Sequence, residues 1–168
     1  MEIVVVGKSH GYEIAEETPG KVWAVSSVFP KFRDPSFIDL IFNLHTPDLW
    51  EPWLFNEAHR TMTAFPRKVV PEGQAQFRRF PAKELLDQCG PVFGSTVAWM
   101  IAFAITQTPK PERIHILGVD MATEPEYIEQ RDTLFYWIGR AEAYGIEVKI
   151  PETSRIFFKD RIYGVLNG

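Results

Sequence analysis

Gly94-Ser95-Thr96-Val97-Ala98, followed by Ile114-His115-Ile116-Leu117-Gly118-Val119-Asp120, decides the fold. The first stretch reads as a small-residue turn opening a helix that stays apolar on nearly all sides over residues 95–106. A helix apolar all round is a covered, central one. The second stretch is a short apolar run ending in Gly-x-Asp, which reads as a buried strand. Helix and strand in this order belong to an open α/β sheet, where ligands bind between the carboxyl ends of strands and the amino ends of helices. A Gly-Ser-Thr turn at such a place offers backbone N–H groups and hydroxyls to an anion, helped by the helix dipole. Asp120, beyond the following strand, suits a sugar hydroxyl or a metal ion.

Working outward, residues 3–6 form a β-branched run that stops at Gly7, and Gly7-Lys8-Ser9-His10-Gly11 follows as a loop. Residues 22–25 predict a second strand, bounded by Pro19-Gly20 and Ser26-Ser27. Residues 37–44 predict a third, with its polar stop at Asn43-Leu44-His45-Thr46. The aromatic and proline-rich stretch 47–66 reads as a partly helical excursion, and Lys68-Val69-Val70 as a short fourth strand. A short helix is expected over 81–88, with Pro81 in its first turn and Gly90 past its end. Residues 113–118 and 146–150 read as strands. Between them Thr123-Glu124-Pro125-Glu126 reads as a capping box opening a long amphipathic helix. Tyr127, Leu134, Ile138 and Ala141 share one face of it, with Ile128 and Phe135 at the margin. Gly145 is placed to end it in the left-handed conformation. The tail, with Ile156-Phe157-Phe158 and Ile162-Tyr163-Gly164, reads as a hairpin or an edge packed on the core.

Strands alternating with helices imply a mostly parallel sheet covered on both faces. The expectation is an α/β fold: a single Rossmann-like three-layer domain spanning residues 1–168, with Val4, Ile41 and Ile116 on neighbouring buried strands. A chain of 168 residues fits one domain. The net charge is -4 and the basic residues form no long run, although Arg67-Lys68 and Arg78-Arg79 could make a local patch. That balance argues against a dedicated nucleic-acid binder. The single cysteine, Cys89, has no disulfide partner within the chain, and a cytoplasmic protein is the simplest reading. Met1-Glu2 leads straight into a strand, so no signal peptide is expected. The longest apolar run, 97–105, is too short to span a bilayer, so no membrane partner is expected. Oligomeric state is left open by the sequence.

Two common nucleotide fingerprints do not fit. Gly7-Lys8-Ser9-His10-Gly11 departs from G-x-G-x-x-G. Gly7-Lys8-Ser9 matches the end of a phosphate-binding P-loop, but Glu2 stands where its first glycine belongs. Neither a nicotinamide dehydrogenase nor a P-loop kinase is expected.

Gly94-Ser95-Thr96-Val97, Ile116-Leu117-Gly118-Val119-Asp120-Met121 and Ala141-x-x-x-Gly145-Ile146-x-Val148 together resemble a superfamily. It is the Rossmann-like family of archaeal 6-hydroxymethylpterin diphosphokinases, with bacterial and phage relatives and, more distantly, bacterial sialyltransferases. Val4-Val5-Val6-Gly7-Lys8-Ser9 is similar to that family's first strand and turn, without its Gly-x-Gly-Pro-Ser form. Ser154-Arg155-Ile156 with Tyr163-Gly164 looks like small phage-encoded members. The resemblance covers about half the chain. It implies a nucleotide-binding transferase site with Gly7 and Ser9 in the first loop and Gly94, Ser95 and Thr96 in a second nucleotide-contacting turn. Asn43 looks like the asparagine with which sialyltransferases contact the sugar nucleotide, and Asp120 matches the family's Gly-x-Asp. The chain is far shorter than sialyltransferases, and their lid and general-base histidine have no clear match in it.

Each candidate also has a plain structural reading. Gly94 suits a tight turn, and Ser95 a helix N-cap worth about 1 kcal/mol. Asp120 could bond the backbone of its own turn before Thr123. His10 and His45 stand in loops after strands, where either could serve as general base. His59 lies in the excursion, and His115, inside a strand, reads as structural. Trp50, Trp53 and Phe55 read as packing ahead of a base-stacking platform. Glu124, Glu126 and Glu129 compensate a helix dipole. Tyr127 and Arg131 are i, i+4 neighbours, read as packing and solvated respectively.

The sequence therefore sets up a nucleotide- or sugar-nucleotide-dependent transferase acting on a small molecule, of diphosphokinase or glycosyltransferase type. Asp120 and His10 are its catalytic candidates, and Gly7, Ser9, Asn43, Gly94, Ser95 and Thr96 its nucleotide-binding ones. Mg²⁺ is the expected metal, with Asp120 as its carboxylate, because phosphoryl transfer usually uses it. Competing expectations are a phage-borne protein that holds a nucleotide without turnover, and an interaction protein that keeps only the fold.

Overall fold

Strand β1 (Glu2–Val6) is buried along almost its whole length, and its residues alternate between two cores. Ile3 and Val5 point to one face of the sheet, Val4 and Val6 to the other. That alternation, in a run with no polar face, requires cover on both sides. The computed structural model describes residues 1–64, 77–121 and 125–156, with side chains from residue 129 in the last of these. Within them lies a seven-stranded, all-parallel sheet.

From β1 the chain steps outward through β2 (Lys21–Val25), β3 (Ile38–Phe42), β4 (Thr61–Thr63) and β5 (Arg78–Arg79). It then returns past α1 (Ala82–Cys89) and α2 (Thr96–Ile105) to the other side of β1, as β6 (Arg113–Leu117). Helix α3 (Pro125–Ala143) and β7 (Glu147–Lys149) complete the order β5-β4-β3-β2-β1-β6-β7. The direction of winding changes at β1 and β6, so their loops leave the sheet at its switch point. Val4, Ile41 and Ile116 are all buried in this sheet; β6 lies directly beside β1, and β2 stands between β1 and β3.

The two faces are covered by different means. Leu85 of α1, the apolar body of α2, and Leu134, Trp137, Ile138 and Ala141 of α3 pack on one face. The other carries short 3-10 turns, which bury Val28, Phe29, Leu54 and Ala58, and further aromatic side chains packed against them. The connections from β1 to β4 hold Pro19, Pro30, Pro35, Pro47 and Pro52, which punctuate them before an α-helix can lengthen. Trp50, Trp53 and Phe55 belong to this layer: Trp53 stacks on Phe29 at 4.5 Å, and Trp50 meets Phe77 at 4.9 Å. They pack against the core, as their plain reading has it.

Helix ends follow their sequence signals. Ser95 caps α2, its Oγ accepting the Ala98 N–H at 3.1 Å. Gly145, at φ +79°, ends α3: Ile146 N–H reaches back to the Ala141 carbonyl and Gly145 N–H to that of Glu142. Strands β4 and β5 were not predicted, whereas the 68–70 strand, Arg67-Lys68, the tail beyond Ile156, and Thr123 and Glu124 lie outside the described residues. Among the described residues, no helix is long and apolar enough to cross a membrane.

Candidate functional site

At the carboxyl edge of the sheet the ends of β1, β2, β3 and β6 and the start of α2 enclose a cleft of about 570 Å³. Gly7 and Ser9 reach it from β1, Ser26 and Ser27 from β2, and His45 from β3. Gly94, Ser95 and Thr96 border it at the start of α2, and Asp120 borders it after β6. Residues far apart in sequence meet here because parallel strands all deliver their following loops to one edge.

The floor is set by two glycines. The loop after β1 is stitched to the loop after β6 by Gly7 N–H to the Leu117 carbonyl (2.8 Å) and Ser9 N–H to that of Gly118 (2.7 Å). A β-carbon on Gly7 would lie 2.5 Å from the Gly118 oxygen, so the two backbones can approach this closely only without side chains.

The α2 wall is fixed from behind by α3. Trp137 Nε1 donates to the Val92 carbonyl at 2.6 Å, and Gly94 N–H donates to Thr133 Oγ1 at 3.2 Å. A β-carbon on Gly94 would meet Thr133 Oγ1 at 2.9 Å. Gly94 is thus there for close approach of α3, a reason the turn reading did not contain. Ser95 spends its hydroxyl on the cap, which leaves the N–H groups of Thr96 and Val97 at the head of the helix with no carbonyl inside it to bond. Both residues border the cleft.

Asp120 is 8% exposed. Its Oδ1 accepts the Arg155 N–H at 3.1 Å, while Ser154 Oγ donates to the Val119 carbonyl at 2.8 Å. The carboxylate therefore ties residues 154–156 to the β6 loop and borders the cleft at once. Among the described residues the carboxylate reaches a distant segment; the turn at 122–124, where its plain structural reading placed a bond, lies outside them. Next to it, Met121 sits at φ +48°, a left-handed conformation costing about 1–2 kcal/mol in a residue with a side chain.

Asn43 is 2% exposed. It lies just behind the lining, between Phe42 and Leu44, which do border the cleft. Its Oδ1 accepts from Ser26 Oγ at 3.4 Å, and its Nδ2 is buried without a hydrogen-bond partner. His10 is exposed and stands outside the lining, whereas His45 is exposed and within it. His59 is exposed, and His115 bonds Glu2 at 2.7 Å beside β1.

An aromatic wall completes the cleft. Phe93 and Trp99 stack at 3.5 Å with an interplanar angle of 3°, and both border the cleft with Phe42. Sequence reading missed this pair and Ser26-Ser27. The serines follow directly after a strand, the placement that singled out Gly7 and Ser9, so the same rule selects them. Trp99 follows Thr96 by three positions and shares its helix face.

No family model, curated protein or solved structure matches this chain.

Proposed function

We propose that this chain is a nucleotide- or sugar-nucleotide-dependent transferase acting on a small molecule, with the cleft as its site. One observation carries the reading: a helix start whose Thr96 and Val97 N–H groups have no carbonyl within the helix, two strand-end loops that bring Ser9, Ser26 and Ser27, and a carboxylate converge on a space of about 570 Å³. That volume lies within the range of small-molecule sites. The Thr96 and Val97 N–H groups, with the helix dipole behind them, suit a phosphate. Ser9, Ser26 and Ser27 can bond its oxygens or a sugar, and Asp120 can accept from ribose hydroxyls. His45 is the imidazole placed to exchange a proton with a ligand.

The transferase part of the reading rests on the resemblance of Gly94-Ser95-Thr96, Gly118-Val119-Asp120 and the first loop to the diphosphokinase and sialyltransferase superfamily. Cytoplasmic location rests on the single cysteine. Mg²⁺ would have Asp120 as its protein carboxylate and would depend on ligand phosphates for further oxygens, since no group of three His, Cys, Asp or Glu forms among the described residues. Its contribution would be to neutralise phosphate charge. The bond from Arg155 to Asp120 Oδ1 favours a second reading, a protein that holds the nucleotide without turnover.

A thermal-shift series with nucleoside mono-, di- and triphosphates and sugar nucleotides, each with and without Mg²⁺, tests both. Bound ligand stabilises the native state by about 2.7 kcal/mol at a hundredfold excess over Kd. Stabilisation with consumption of the nucleotide supports the transferase; stabilisation without consumption supports the holding protein. No shift with any of them overturns both.

A further inference from the structure

We propose that the Phe93–Trp99 stack is the ring-binding subsite of the cleft and that its ligand is a nucleoside phosphate whose base lies against Trp99. The inference rests on the reading of the cleft as a nucleotide site and adds where the base of that ligand lies.

The cleft is chemically divided. Ser9, Ser26, Ser27 and the Thr96 and Val97 N–H groups make one part polar. Phe93, Trp99 and Phe42 make another aromatic. Phe93 is covered on both faces, by Trp99 at 3.5 Å and by Trp137 at 5.0 Å with a 19° angle between the rings. Trp99 also meets buried Phe80 in a T-shaped contact at 5.6 Å, and the part of Trp99 that stays half-buried at the cleft is where a ligand ring reaches the stack. Trp137 is fully buried and anchored by its bond to the Val92 carbonyl, so the stack is held rigidly before any ligand arrives. Trp99 and Phe93 remain half-buried at the cleft, although α2 is otherwise covered almost throughout. Thr96 and Trp99 lie three residues apart on one helix face, about 4.5 Å along the axis. A ligand touching both needs a planar ring within a few ångströms of an anion. A nucleoside monophosphate meets that requirement; a sugar phosphate or a free phosphate has only the anionic part.

The test compares AMP, GMP, CMP and UMP with ribose 5-phosphate, which carries the same sugar and phosphate without a base. Binding is read by calorimetry and by quenching of tryptophan fluorescence. Base stacking on an aromatic side chain predicts that at least one nucleotide binds roughly tenfold or more tightly than ribose 5-phosphate. Trp99→Phe keeps most of that advantage. Trp99→Leu brings the nucleotide down to the affinity of ribose 5-phosphate, with its fold checked by circular dichroism. Equal affinity for ribose 5-phosphate and all four nucleotides in the unaltered protein overturns the ring subsite and leaves the phosphate cleft standing, whether or not the leucine variant folds. A folded Trp99→Leu that retains full nucleotide affinity also overturns it. Absence of binding by every compound, with the protein folded, overturns the subsite and the cleft reading together.

Discussion

Gly7 and Gly118 face each other so closely that neither position admits a side chain. A β-carbon on Gly7 would lie 2.5 Å from the Gly118 oxygen, and one on Gly118 would lie 2.6 Å from the Gly7 oxygen. Gly118 also holds φ +62°, where an L side chain is strained in any case. Contact and conformation act together, so Gly118→Ala is expected to cost about 2–4 kcal/mol. In a chain of this size that lowers the melting temperature by roughly 5–15 °C. Thermal unfolding of the purified variant checks it, and a change under 2 °C, about 1 kcal/mol or less, would show that the two loops separate freely.

Gly94 makes a narrower demand. Its missing β-carbon leaves room for Thr133, whose hydroxyl accepts the Gly94 N–H and donates to the Gln130 carbonyl. Gly94→Ala should destabilise by about 1–3 kcal/mol through overpacking. Thr133→Ala removes the obstructing atoms, so the double variant should lose clearly less than the sum of the two single losses. Additive losses in urea unfolding would mean that the glycine is required for the turn itself.

Much of the frame was legible because several elements announce themselves locally. The β-branched run of β1, the cap at Ser95, the Pro81 and Gly90 punctuation of α1 and the stop at Gly145 each act within a few residues. Thr61-Met62-Thr63 and Arg78-Arg79 carry no such signal. They are strands because β3 and then β4 offer them an edge to pair with. Only the 47–66 part of the 3-10 layer reads from the sequence, as a partly helical excursion, for the same reason: the layer's packing on Val22, Ala24 and Ile41 is tertiary. The strand-end rule found Gly7, Ser9, Gly94, Ser95, Thr96 and Asp120 around one cleft. The aromatic wall escaped it, since Phe93 meets Trp99 only where α3 docks Trp137 behind them.

At the opposite end of the sheet Glu2 accepts from His115 Nε2 at 2.7 Å and from Arg113 at 2.8 Å. The His115 hydrogen bond, aided by the nearby positive charges and opposed by desolvation, holds the Glu2 carboxyl below its usual 4.5. The unfolded chain then takes up the proton at a higher pH than the folded one. The resulting stability is present above about 4.5 and is lost as pH falls through the depressed folded value. Melting temperature against pH should therefore fall less steeply below 4.5 in Glu2→Gln than in the unaltered protein. Parallel curves would show that the pair adds nothing to acid sensitivity.

Asp120 combines two duties that substitution can separate. Its Oδ1 accepts the Arg155 N–H, an arrangement that an asparagine oxygen can reproduce, whereas its charge is what would attract a metal or grip a sugar hydroxyl. Asp120→Asn should accordingly lower stability by less than about 1 kcal/mol, and Asp120→Ala by about 1–3 kcal/mol, because the alanine leaves the Arg155 N–H without its acceptor. If the carboxylate contacts ligand, both variants should weaken nucleotide binding tenfold or more, the asparagine as strongly as the alanine. Binding that stays unchanged in Asp120→Asn while Asp120→Ala loses stability would confine this carboxylate to holding residues 154–156 in place. The proposed chemistry would then have to proceed without an acid from the end of β6. Melting curves and calorimetric titrations on the same two variants give both quantities.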